Sequence, residues 1–171
     1  MFSKADIEKY FVAEKQESLL FLCIGIAAII LAAVFFFALK SSFYKGAALP
    51  LLLIGIIQLV VGYTVYARSD SDRTRNVYAY DMNPGELKAK ELPRMQAVNK
   101  NFVTYRYAEI VLMLTGLALV FIFKTNTEKS FWAGLGLTLA IQSLLMLGAD
   151  FFAEKRAHVY TNSLENFIQK N

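Results

Sequence analysis

One cysteine, Cys23, and one histidine, His158, are all that this 171-residue chain holds of the two residue types most often used as metal ligands. A lone cysteine excludes a disulfide within the chain. Together the two residues are too few for a Cys/His zinc site, bis-histidine haem ligation or dithiol redox chemistry inside one subunit. No activated nucleophile or oxyanion donor accompanies the scattered carboxylates, so no catalytic residues, no metal and no cofactor are expected. Polar sequence is also scarce between the apolar blocks at 40–46 and 124–129, which are too short to form a domain.

What the chain has in excess is apolar sequence. Hydrophobic residues make up 56 % of it, above the share of ordinary soluble domains. The excess falls into four blocks, 18–39, 47–67, 107–123 and 130–152, each near the roughly 20 residues that cross a bilayer as a helix. Backbone groups in hydrocarbon must bond within their own segment, and the blocks are too long for barrel strands, so helices are predicted. The fold expectation is all-α: a polytopic membrane protein with four transmembrane helices in a bundle. The segment before the first block is mixed in charge and no small-residue cleavage site follows it, so that block reads as a retained span.

Lys and Arg are unevenly placed. Fourteen lie before the first block, between the second and third, or after the fourth; four (Lys40, Lys45, Lys124 and Lys129) lie in the two short connections. The positive-inside rule then puts both termini and the central segment in the cytoplasm. A bacterial inner (plasma) membrane is the expected location.

The chain resembles itself. Residues 11–25, FVAEKQESLLFLCIG, align without gaps on 102–116, FVTYRYAEIVLMLTG, at a shift of 91. SFYKG at 42–46 matches SFWAG at 130–134, Ile57-Gln58 matches Ile141-Gln142, and Gly62 matches Gly148. A duplicated helix hairpin is expected, with repeat 1 at 1–80, a linker at 81–91 and repeat 2 at 92–171. Each half has an even number of spans, so the copies would be parallel, related by an axis along the membrane normal.

Helical stripes continue outside the apolar blocks: Ile7, Tyr10, Phe11 and Glu14 first, then Met95, Val98, Phe102 and Tyr105. Another follows the fourth block, with Val159 or Tyr160, then Leu164, Phe167 and Ile168. These would extend the bundle into the cytoplasm or lie along headgroups. The Met95, Val98 and Phe102 face is the expected place for a protein partner. Asn83, Pro84 and Glu86 read as a helix start, and Pro93 as a kink or restart.

Two groups of polar residues need explaining. Gln58, with Gly55 and Gly62, and Gln142, with Gly134, Thr138, Leu145 and Ala149, lie on small-residue faces. That pattern suits interhelical hydrogen bonding near the pseudo-symmetry axis, or ligation of a small polar substrate at the midplane. Glu109 falls about a turn inside the cytoplasmic boundary, at the depth of Asp150 and Glu17, and Arg106 precedes it by a spacing that lets the two meet. An interfacial ion-pair network and a proton or cation site are both open. Arg68, Arg73 and Arg75 could attract anionic lipid headgroups; the plainer reading of 68–75 is a solvated connection and helix cap.

The expected function is that of a non-enzymatic integral membrane interaction protein, an accessory, assembly or immunity-type factor. The alternative is a small oligomeric transporter or channel using Gln58, Gln142 and Glu109. The expected partners are the bilayer and either another protein or further copies of the chain, with no nucleic acid.

Overall fold

The computed structural model of the chain describes residues 2–170. Four long helices account for nearly all of them. Helix α1, Lys4–Val34, ends in a wide π turn over Phe35–Leu39, and α2 runs through Ser42–Met82. The short α3, Pro84–Glu86, leads through a second π turn, Leu87–Glu91, into α4, Leu92–Phe123. After a 3-10 turn at Thr127–Lys129, α5 occupies Ser130–Lys170.

Local chemistry sets these boundaries. Ser3 and Asp6 form a capping box at the start of α1, the Ser3 N–H donating to Asp6 Oδ2 at 2.9 Å. The reversal into α2 takes one left-handed residue, Lys40, with φ of 55°, and Ser41 Oγ accepts the Tyr44 N–H. The opposite hairpin turns on Asn126, whose Oδ1 accepts the N–H groups of Glu128 and Lys129 at 3.1 Å each. Pro84 opens α3, where an N–H would have no helical partner, while Pro93 lies just past the π turn, inside a helical path that runs on from Glu91 and Leu92 into α4. The Asn83 side chain makes no capping bond.

The architecture is a four-helix bundle, and each long helical segment has an apolar window long enough to cross a membrane. α1 packs along α2, α4 along α5, and the two pairs meet where α2 lies on α5. Contacts between α2 and α5 ascend together along both chains, from Gly46 against Phe131 to Gln58 against Gln142, so these helices run parallel. α1 and α4 flank this central pair.

Two differently built interiors result. Toward the turns at 40–41 and 124–126 the contacts are made by small residues. Gly25 rests on the backbone of Gly55 and Leu59, Gly116 on that of Gly136 and Ala140, and Ala28, Ala32, Ala48 and Leu51 cluster. Toward the termini, large side chains close a dense core: Ile7, Phe11, Leu87, Met95 and Leu164 are essentially fully buried, with Tyr10 stacked on Tyr160 at 4.3 Å.

Three local expectations are corrected. Residues 68–75 are not a solvated connection: they continue α2, with Ser69 and Asp72 buried. A helix can run through them because Arg68 and Arg75 both pair with Asp72 along its own face. The Met95, Val98 and Phe102 face is no surface for a partner, since Met95 is buried and the other two pack against the same core. On α5 Leu145, expected on the inward stripe, is exposed, and Ser143 is buried; of the two open alternatives Val159 and Tyr160, Tyr160 is the buried one.

Candidate functional site

The α2–α5 contact is closest at the hairpin end. A side chain at Gly46 would overlap the Phe131 carbonyl, and one at Gly134 would overlap the Phe43 carbonyl, so the two glycines play reciprocal parts. Thr138 Oγ1 donates across the contact to the Ala47 carbonyl at 2.9 Å. Further along, Gln58 Nε2 donates to Gln142 Oε1 at 3.4 Å, with both residues buried. Gln58 Oε1 and the neighbouring Ser143 Oγ have no partner among the described residues. The amides therefore face each other, and the bond joins the two hairpins.

A second group lies where the apolar half meets the charged half. Arg156 of α5 clasps Glu17 of α1 with both of its terminal nitrogens. Arg106 of α4 reaches Glu154 of α5 at 3.3 Å, and the His158 ring lies 3.5 Å from the same carboxylate. Arg106 thus bridges to the neighbouring helix and not to Glu109 on its own. Glu109 is 3 % exposed and points into the α4–α5 contact, close to Asp150. The four residues Glu17, Arg106, Glu109 and Asp150 are gathered at one level, but among the described residues only Glu17 and Arg106 of the four have ion-pair partners.

A third group, in the charged half, escaped sequence reasoning. Glu91, 1 % exposed, accepts from Arg94 Nε and Nη2 at 2.9 and 2.7 Å and from Asn76 Nδ2 at 3.1 Å. Glu14 accepts from Ser69 Oγ at 3.3 Å and lies 3.4 Å from Arg68. Burial pushes the Glu14 carboxyl above its usual range, and Arg68 and Arg94 only partly offset that. The Tyr10 phenol is raised by burial and then by Glu14. These groups tie α1, α2 and α4 together around the dense core. The spacing of Asn76 and Glu91 in sequence gave no sign of it, because the break in the helical path at Asn83 is what lets the chain fold back and bring Glu91 to Asn76.

Arg68, Arg73 and Arg75, read as lipid-facing, lie beside acids of their own or neighbouring helices: Glu14 and Asp72, Asp70, and Asp72 respectively. No set of three His, Cys, Asp or Glu side chains arranged to hold a metal ion occurs among the described residues. Comparison of the chain with models of protein families, with curated proteins and with solved structures finds no match.

Proposed function

We propose that the protein is a non-enzymatic integral membrane interaction protein, an assembly, accessory or immunity-type factor, with its charged half in the cytoplasm of a bacterial inner membrane. The observation that carries this reading is a ledge on the charged half of α2. Tyr78 and Met82, one turn apart, are 63 % and 70 % exposed beside Arg75. Large apolar side chains facing water, next to a core that buries its other aromatics, suit a partner surface.

The uneven Lys and Arg distribution supports the orientation. The reciprocal Gly46 and Gly134 contacts, and the equivalent roles of Gly25 and Gly116, support a duplicated hairpin, with repeats at 1–80 and 92–171. The copies have diverged: Gly62 is pressed onto the α1 backbone at Ser18 and Leu22, whereas a side chain added at Gly148 would point into open space among the described residues.

A photo-crosslinking amino acid placed at Tyr78 or Met82 in cells tests the reading. A discrete protein adduct is expected, lost when the other ledge residue is changed to Asp while the purified variant keeps its thermal stability. Adducts with lipid alone would contradict it. A small oligomeric transporter or channel is the second reading, favoured by Glu109, a buried carboxyl group with no donor among the described residues. Closure of Gln58 on Gln142 speaks against a pathway between those two amides.

A further inference from the structure

Three residues of α4 are buried, Met95, Glu109 and Gly116, at multiples of seven along the helix. Glu109 therefore occupies the stripe with which α4 meets α5. On α5, Ser143, Asp150, Ala157 and Leu164 follow the same spacing, so Asp150 lies on the opposing stripe. The two carboxyl groups are within hydrogen-bonding reach of each other. An ionised carboxylate only accepts hydrogen bonds, and neither Glu109 oxygen has a donor among the described residues.

The surrounding charges are committed elsewhere. Arg106 on α4 pairs with Glu154, which also lies beside His158, and Arg156 on α5 pairs with Glu17 of α1. Glu154 and Glu17 add negative potential at Asp150. Two bare carboxylates in a helix contact at the edge of an apolar slab would suffer both repulsion and lost hydration. One hydrogen ion changes the arrangement from acceptor facing acceptor to an O–H···O bond between helices. Glu154 and Glu17 are held by Arg106 and Arg156, and no third side chain joins the pair in a metal-binding group among the described residues, so it is poorly equipped for a divalent metal.

We propose that Glu109 and Asp150 form a proton-binding site, the two carboxyl groups sharing a single proton across the α4–α5 contact. The site rests on neither reading of function. Its loss of that proton places two negative charges in a contact that also holds the close packing of Gly116 on Gly136 and Ala140 and the Arg106–Glu154 pair. The proton thus clamps α4 to α5.

The test is infrared spectroscopy of the full chain in lipid nanodiscs, following the carbonyl stretch of protonated carboxyl groups. In sodium-free choline buffer at neutral pH, the wild type is expected to show a protonated-carboxyl band. That band should be lost in Glu109→Gln and in Asp150→Asn, and kept in Glu14→Gln. The amide in Glu109→Gln can donate to Asp150, so the contact and fold should survive in that variant. Absence of the wild-type band at neutral pH, which needs no variant to observe, would overturn the proposal. So would a band indifferent to both substitutions, or one abolished by sodium chloride at constant pH, which would make the resident ligand a monovalent cation.

Discussion

The two halves of the bundle solve the same packing problem with opposite materials. In the charged half, Phe11, Ile7, Leu87, Met95 and Leu164 fill the interior, while in the apolar half the helices touch through Gly25, Gly46, Gly55, Gly116 and Gly134. The large apolar side chains of that half, among them Phe37, Phe121 and Leu53, point outward. The membrane placement proposed above accounts for the difference. Water drives large apolar groups inward, whereas hydrocarbon gives them no reason to move, leaving close backbone approach and hydrogen bonds to hold helices together. Polar groups follow the same division: the Gln58–Gln142 amide pair and the Thr138 hydroxyl on the Ala47 carbonyl join α2 to α5 in the apolar half, but a buried network of Glu14, Ser69, Asn76, Glu91 and Arg94 braces the charged half.

The comparison predicts that enlarging and shrinking side chains act in opposite places. The largest effect is expected for Gly46→Val or Gly134→Val, because the added atoms would overlap the carbonyl of Phe131 or Phe43, which cannot move without separating α2 from α5. Size-exclusion chromatography in mild detergent should show loss of the folded species. Next comes truncation: Phe11→Ala should cost about 3–5 kcal/mol. Phe121→Ala, at a site 68 % exposed in the apolar half, should stay within about 0.5 kcal/mol. Reversible unfolding in mixed micelles separates the two, and equal costs would erase the proposed division.

Smaller again is the amide pair. Gln58→Leu and Gln142→Leu should each lose about 0.6–2 kcal/mol, and the double variant should lose less than their sum, since either change already breaks the shared bond. The smallest effect concerns pH. Burial raises the Glu14 carboxyl, so the folded state holds that proton more readily than the unfolded chain. The contribution is fully present below the ordinary carboxylate range and fades as pH rises through the raised range. Thermal stability measured from acid to neutral pH should decline less in Glu14→Gln than in the wild type; an unchanged slope would remove Glu14 from the account.

Hydropathy and charge placement made the four helices and their short turns legible, because composition alone decides whether a segment of 20 residues suits hydrocarbon. The facing of Gln58 and Gln142 was within reach too, since each amide shares a helical face with glycines. The charged half was harder. Val159 and Tyr160 fit the same stripe equally well, and only packing against Tyr10 selects Tyr160. RSDSDRTR looks like a loop by polarity, yet its Arg–Asp pairs at helical spacing carry α2 onward. Arg106 could reach Glu109 by spacing, but Glu154 on the neighbouring helix takes it, a choice that no single-helix argument can make.

The central claim is that the small-residue half lies in hydrocarbon and that its turns and the large-residue core lie on opposite sides of the membrane. Cysteine labelling addresses it directly. In a Cys23→Ser background, single cysteines replacing Lys40, Lys124, Ser71 or Lys88 would be exposed to a membrane-impermeant maleimide on intact cells and on inverted vesicles. The account predicts that positions 40 and 124 react on cells, while 71 and 88 react only on inverted vesicles. Reaction of all four from the same side would contradict it.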